Sequence, residues 1–168
     1  MGPFEVIVVD NNSDDGTVNL IKTFPSVKLI QSPYNGGYSR GINLGFEHVK
    51  TEYLVVLNAD AELKEDCLHE LLKPLSENRA TLTIPKALFY DERSVNTCGN
   101  IEHFTGLAFT RNLEGHPDSF NRCKSVNGLS GVCFAVKSGS YRNWVDLMKT
   151  SSCTWRMLNF HGGSFLGV

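Results

Sequence analysis

With 168 residues, 41% of them hydrophobic, the chain is long enough to bury one core and short for two comfortable domains, so one globular domain is expected. A formal charge of −2 and the lack of any Lys/Arg-rich stretch exclude the basic face a nucleic-acid surface needs, leaving small molecules as the expected partners. No run of about 18 apolar residues offers a membrane span, and Met1-Gly2-Pro3 leads into an apolar run without a signal peptide, so a cytoplasmic chain is expected. Cys67, Cys98, Cys123, Cys133 and Cys153 are odd in number and show no Cys-x-x-Cys pairing, which reads as reduced structural thiols.

Phe4 to Val9 is a β-branched run ended by polar turn residues. Val18 to Phe24 then has helical spacing at Val18, Ile21 and Phe24, stopped by Pro25. Val27 to Ile30 is the next predicted strand, Asn35-Gly36-Gly37 a turn, and Ile42, Phe46 and Val49 share a helical face. Glu52 to Leu57 is a continuous apolar strand. The strand-helix alternation implies parallel pairing with right-handed crossovers.

Asp66 to Asn78 is amphipathic through Cys67, Leu68, Leu71, Leu72 and Leu75, with Pro74 expected to kink or shorten the helix. Thr81 to Ile84 returns as a strand. From Lys86 to Lys124 periodicity weakens, and Ala87 to Tyr90 and Ala108 to Arg111 alone read as extended, as befits a substrate-facing excursion. Gly128 to Val136 recovers a strand-like segment. Ser138 to Val168 has neither clean period nor matching caps.

Two acidic turns stand where apolar strands run out: Asp10-Asn11-Asn12-Ser13-Asp14-Asp15 and Asn58-Ala59-Asp60. Ligands of open α/β sheets bind at the carboxyl ends of strands, so carboxylates gathered there point to a cation and a phosphate-bearing ligand. Mg²⁺ or Mn²⁺ beside a diphosphate takes one or two protein carboxylates plus phosphate oxygens and waters, a role open to Asp60. Asp10 could accept a hydrogen bond from a nucleobase ring N–H, with Asn12, Ser13 and backbone amides binding polar ligand groups. Capping explains Asp14 and Asp15 better, and Asn58 alone is an ordinary turn residue. Gly36, Gly37, Gly41 and Gly45 spell no Walker or dinucleotide motif, and turn formation with close helix packing accounts for them equally well. His103, His116 and His161 lack metal-ligand spacing and carry no assigned role.

Taken together, EVIVVDNNSDDGT, NGGYSRGINLG and LNAD, in this order, resemble the family 2 glycosyltransferases of the GT-A fold, especially rhamnosyltransferase-like members, over about Phe4 to Val136. The resemblance implies an incomplete three-layer α/β/α sandwich, with a nucleotide-sugar-binding domain over 1–136 and an aberrant tail over 137–168. It implies sugar transfer from a nucleotide-diphosphate donor to the hydroxyl of a saccharide or lipid-linked acceptor, in the cytoplasm or peripherally at a membrane through that acceptor. Asp10 would lie near the base, with Asn12 and Ser13 beside it, Asn43 in the family's asparagine-containing helix start, Asn58 near ribose and phosphate, and Asp60 on Mg²⁺ or Mn²⁺.

Two departures bear on activity. The family opens with one further strand ending in a Tyr-Asn-type nucleotide turn, so the chain is expected to be truncated at its start. After Val136 the family continues Gly-Gly-Phe-Asp-Glu, aromatics, then a Glu-Asp pair whose Asp is the general base. No such stretch is encoded in this frame, which leaves the catalytic residue unassigned. A positioned base contributes about 10²- to 10⁴-fold to rate.

Back-translation of Trp144 to Gly163 from the third base of each codon permits GGFDEDFFMYMEDVELSWR over nineteen consecutive triplets, with the first Gly and first Glu forced by the code. The expectation is a frameshift between about Lys137 and Asn143. The alternatives are a divergent tail with an amphipathic stretch at Trp144 to Met148, and a catalytically inert nucleotide-sugar-binding or interaction module derived from such an enzyme. A generic Rossmann-like binder would carry a Gly-rich loop where Asp10-Asn11-Asn12-Ser13 stands.

Overall fold

A computed structural model describes residues 4–105, 107–141 and 165–167, the last three by their backbone. The chain divides into two compact units, Met1–Thr51 and Glu52–Val168.

In the first unit, β1 (Val6–Asp10) and β2 (Val27–Gln31) pair in parallel, Val6 opposite Val27 and Asp10 opposite Gln31. Two helices follow these strands, α1 (Thr17–Ile21) and α2 (Gly37–Phe46). α1 stops three residues short of the expected Phe24. Thr23 donates its backbone N–H and its hydroxyl to the Leu20 carbonyl, and Phe24 N–H turns back to Ile21. Side-chain competition for a helix carbonyl, added to the restriction Pro25 places on the residue before it, tightens the last turn and ends the helix. α2 carries Ile42 and Phe46 as its spacing requires, but ends before Val49, whose N–H closes a tight turn on Phe46. Gly45 lets the helix approach β1, because a Cβ there would sit 3.0 Å from Val9 Cγ2.

In the second unit, β3 (Tyr53–Leu57) leads to α3 (Cys67–Ser76) and β4 (Leu82–Ile84). The excursion folds as short antiparallel pieces: β5 (Ala87–Leu88) on β6 (Val95–Thr97), and β7 (Asn100–Glu102) on β8 (Ala108–Thr110). A 3₁₀ turn at Pro117–Ser119 and β9 (Lys124–Ser125) precede β10 (Cys133–Lys137), and the backbone of Phe165–Gly167 forms β11. The sheet order is β3-β10-β4-β11-β9. Parallel pairing therefore holds for β1 with β2, whereas β3 pairs antiparallel with β10, Leu57 opposite Cys133 and Tyr53 opposite Lys137. β10 starts later than the expected Gly128, which instead makes an isolated bridge to Asn100.

β10 reads CFAVK and is buried on both faces from Cys133 to Val136, the signature of a central strand. Leu71, Leu75 and Ala80 of the α3 region pack with Cys133 and Ala135, flanked by Val55, Leu63 and Leu72. Pro74 sits eight residues into α3, lacks the N–H that would reach Glu70, and is followed by helix termination at Ser76. Its own carbonyl accepts from Arg79 and Ala80 N–H, and Asn78 takes φ 55° to finish the turn. The buried Thr83 hydroxyl donates to the Leu71 carbonyl at 2.7 Å, so the polar atom under α3 is satisfied.

Cys67, Cys98, Cys123 and Cys133 are free thiols. Burial, with a smaller contribution from Cys67, pushes the Cys133 thiol up to about 12. Residues 138–141 are helical. Cys153, His161, Trp144 to Met148 and the back-translated stretch lie outside the described residues.

Candidate functional site

β1 delivers Asp10 to its carboxyl end, where only 4% of the residue is exposed. Both carboxylate oxygens share one donor, the Ser13 N–H, at 3.3 Å each. Asn12 reaches the turn with φ 69°, a conformation asparagine tolerates better than most side-chain-bearing residues. Asp10, Asn12 and Ser13 thus share one tight turn, with Asn12 and Ser13 exposed.

Asp15 closes the turn just before α1, whose N-cap, Gly16, has no side-chain cap bond. Asp15 Oδ1 accepts from Thr17 N–H at 3.1 Å and from the Thr17 hydroxyl at 2.5 Å, and those bonds hold its carboxyl below the usual 3.8. Asp14 is exposed.

Asn11 is the residue that sequence reasoning passed over. Its amide donates to Asn35 Oδ1 at 3.0 Å and to the Gly37 carbonyl at 3.1 Å, while its Oδ1 accepts from Gly36 N–H at 3.1 Å. One side chain therefore ties the turn after β1 to the turn that opens α2. Gly37, at φ 77°, and the Asx bond from its N–H to Asn35 Oδ1 complete that second turn. The recurrence of Asn at both turns was the available signal. These contacts make the Gly36-Gly37 segment a structural junction. Asn43 lies half-buried on α2, and its carbonyl accepts from Glu47 N–H at 3.2 Å.

In the second unit, β3 ends at Leu57 and its successor Asn58 is pinned by a 2.9 Å bond from its N–H to the Val132 carbonyl, just before β10. Asn58 Nδ2 donates to Asp60 Oδ1 at 2.7 Å, which fixes the carboxylate's direction. Tyr90, another residue the sequence did not mark, donates its hydroxyl to the Asp60 carbonyl at 2.9 Å. Asp60 is exposed, and its Oδ2 has no partner among the described residues. Also among the described residues, no three His, Cys, Asp or Glu side chains gather as a metal cage. One free carboxylate oxygen suits a hard cation that keeps waters and takes further oxygens from phosphate, rather than a cation bound by protein alone. His103 and His116 make local contacts with Thr105 and Asp118.

The architecture is that of the GT-A enzymes. A crystal structure titled GalNAc-T7 with UDP, GalNAc and Mn²⁺ superposes with a TM-score of 0.67 at 16% identity, covering 96% of this chain and 36% of that one. The S. aureus TarS structure gives 0.56 at 18% identity, over 83% of this chain and 39% of the other.

The chain belongs to glycosyl transferase family 2, whose model matches residues 1–144. Similar proteins include glycosyltransferase GlyG of Streptococcus pneumoniae serotype 4, 27% identical over 96 residues, 55% of this chain and 32% of that one. Polypeptide N-acetylgalactosaminyltransferase 11 of Xenopus tropicalis is 35% identical over 91 residues, 48% of this chain and 15% of the relative. The chain thus spans a third or less of the length of these relatives. No helix among the described residues is long and apolar enough to cross a membrane.

Proposed function

We propose that this chain carries the donor-binding half of a glycosyltransferase that moves a sugar from a nucleotide-diphosphate donor to an acceptor hydroxyl of a saccharide or lipid-linked acceptor. The observation that carries the reading is Asp10: a carboxylate 4% exposed whose two oxygens share one 3.3 Å N–H. A buried carboxylate with so little internal hydrogen bonding is costly, and a nucleobase N–H would supply the missing donor. Asn12 and Ser13 in the same turn, with Asn43 and Asn58, would bind the remaining polar groups of the nucleotide.

Asp60 would hold Mg²⁺ or Mn²⁺ through its free oxygen, with Asn58 orienting the carboxylate by its 2.7 Å bond. Such an ion, when bound, neutralises charge on the departing diphosphate. Support for the choice of ion comes from GalNAc-T7, crystallised with UDP, GalNAc and Mn²⁺.

The general base is proposed to lie in the shifted frame. The family model's match ends at residue 144, close to where the alternative reading begins. The coding DNA should show one base lost, or two gained, between about codons 137 and 143 relative to the family's frame, and an alternative frame that cannot spell the nineteen-residue string would refute this.

Calorimetry with UDP, GDP and dTDP, each with and without Mn²⁺, tests the donor site. One nucleotide should bind in a metal-dependent manner, and Asp60→Ala should abolish the metal dependence. Asp10→Ala should weaken binding by about 10- to 150-fold, the equivalent of a charge-assisted hydrogen bond of roughly 1.5–3 kcal/mol. Absence of nucleotide affinity with metal present, or an Asp60→Ala chain that binds like the parent, would overturn the reading.

A further inference from the structure

The second unit contains a cavity of about 200 Å³ that the donor reading leaves unused. It lies within the excursion between β4 and β10. Four cationic side chains line it, Lys86, Arg111, Arg122 and Lys124, against one carboxylate, Asp118. Those four are a quarter of the 16 Lys and Arg in a chain of net charge −2, so positive charge is concentrated here against the overall balance.

These cations are not neutralised from within. Among the described residues, the ion pairs are Lys64 with Glu92, Arg79 with Glu77 and His116 with Asp118, and none involves a cation of the cavity. Lys86 is held in place by neutral acceptors instead, the Pro117 carbonyl at 3.1 Å and Asn121 Oδ1 at 2.9 Å. Asn121 is fixed in turn by donating to the Asp118 carbonyl at 3.1 Å. An ammonium positioned by neutral acceptors, without an ion pair of its own, leaves the cavity with a net positive field. Phe120 and Val126 provide apolar walls that reduce solvent screening.

We propose that this cavity of the second unit binds a phosphoryl or diphosphoryl group. Two guanidiniums present planar forks matched to phosphate oxygens, and two ammoniums add point charge. A net excess of three positive charges suits a multiply charged oxyanion better than a single carboxylate. At about 200 Å³ the space is below the 300–1,000 Å³ typical of whole small-molecule sites, so it accommodates one charged group while the rest of the ligand lies outside. The group could come from the donor's diphosphate or from a phosphate-bearing acceptor.

The test titrates the 168-residue chain with inorganic pyrophosphate in the absence of divalent cations, using acetate as a monovalent control. Saturable pyrophosphate binding is expected, with acetate competing poorly. A chain carrying Arg111→Gln, Arg122→Gln and Lys124→Gln should bind at least tenfold more weakly while keeping the parent's circular dichroism. Arg111→Lys alone, which retains the charge, should lose less. Asp60→Ala should leave pyrophosphate affinity unchanged, which separates this site from the metal-dependent one. Titration of the triple variant with UDP and Mn²⁺ identifies the source: a loss assigns the phosphoryl group to the donor, and unchanged affinity assigns it to a second ligand. A parent chain with no pyrophosphate affinity, or a triple variant that binds like the parent, would overturn the proposal.

Discussion

Asn11 shows how much one side chain can organise. Its three hydrogen bonds join the Asp10 turn to the start of α2, so Asn11→Ala should cost stability as well as loosen the presentation of Asp10. Solvent-exposed bonds of this kind sit at the low end of about 0.5–1.5 kcal/mol each, and a total loss of about 1.5–2 kcal/mol is expected in urea unfolding. Asn11→Asp tests the geometry separately, because it keeps the Gly36 N–H bond and replaces two donors by acceptors.

Cys133 makes a pH prediction. Its thiol rises to about 12 in the folded chain from 9.0, so between those values the unfolded chain loses a proton that the folded chain retains. Unfolding is then favoured as pH climbs: the contribution is constant below about 9 and declines from there towards 12. Cys133→Ala should flatten this part of the stability–pH curve whatever it does to absolute stability. Thr17→Val acts at the opposite end of the scale, removing the hydroxyl bond that lowers Asp15. The Asp15 carboxyl should then titrate higher by NMR.

At the level of elements, legibility followed apolar patterning. β1, β2, β3, α2 and α3 were readable because their apolar residues run together or recur over five or more positions, and the short β4, β5 and β8 were marked by small apolar clusters. β6 (VNT), β7 (NIE) and β9 (KS) were not, because polar residues interrupt or replace any apolar run. Their positions depend on backbone pairing with partners elsewhere in the chain, which no local window records. The site divides along the same line. Strand-end carboxylates could be read from pattern, whereas the roles of Asn11 and Tyr90 arise from contacts 24 to 30 residues away. Gly99 tests the least legible region: it sits at φ 93° between β6 and β7, where a Cβ would lie 2.9 Å from Ile84 Cδ1 and 3.0 Å from the Gly128 carbonyl. Gly99→Ala should therefore lower stability by about 1–3 kcal/mol, seen as a reduced urea midpoint at unchanged slope.

For the molecule as a whole, the match to glycosyl transferase family 2 covers residues 1–144, and the proposed frameshift carries its own prediction. Restoring the frame, together with the family's first strand, should produce a chain that transfers sugar, with the Asp of the regained Glu-Asp pair as base. The present chain should bind nucleotide and fail to transfer. Replacing the regained Asp by Asn should return the rate towards that of the present chain, by about 10²- to 10⁴-fold.

The contrast between an exposed Cys123 and a Cys133 only 3% exposed on β10, an interior strand, gives the second unit a built-in reporter of its own opening. Iodoacetamide should reach the exposed Cys123 in the native chain. At pH 8 the native Cys133 would hold roughly a thousandfold less thiolate than an ordinary cysteine, so its modification should follow excursions in which β10 leaves β3 and β4. Peptide-resolved mass spectrometry of the two sites, read as a ratio of labelling rates, would then give the free energy of that excursion without denaturant.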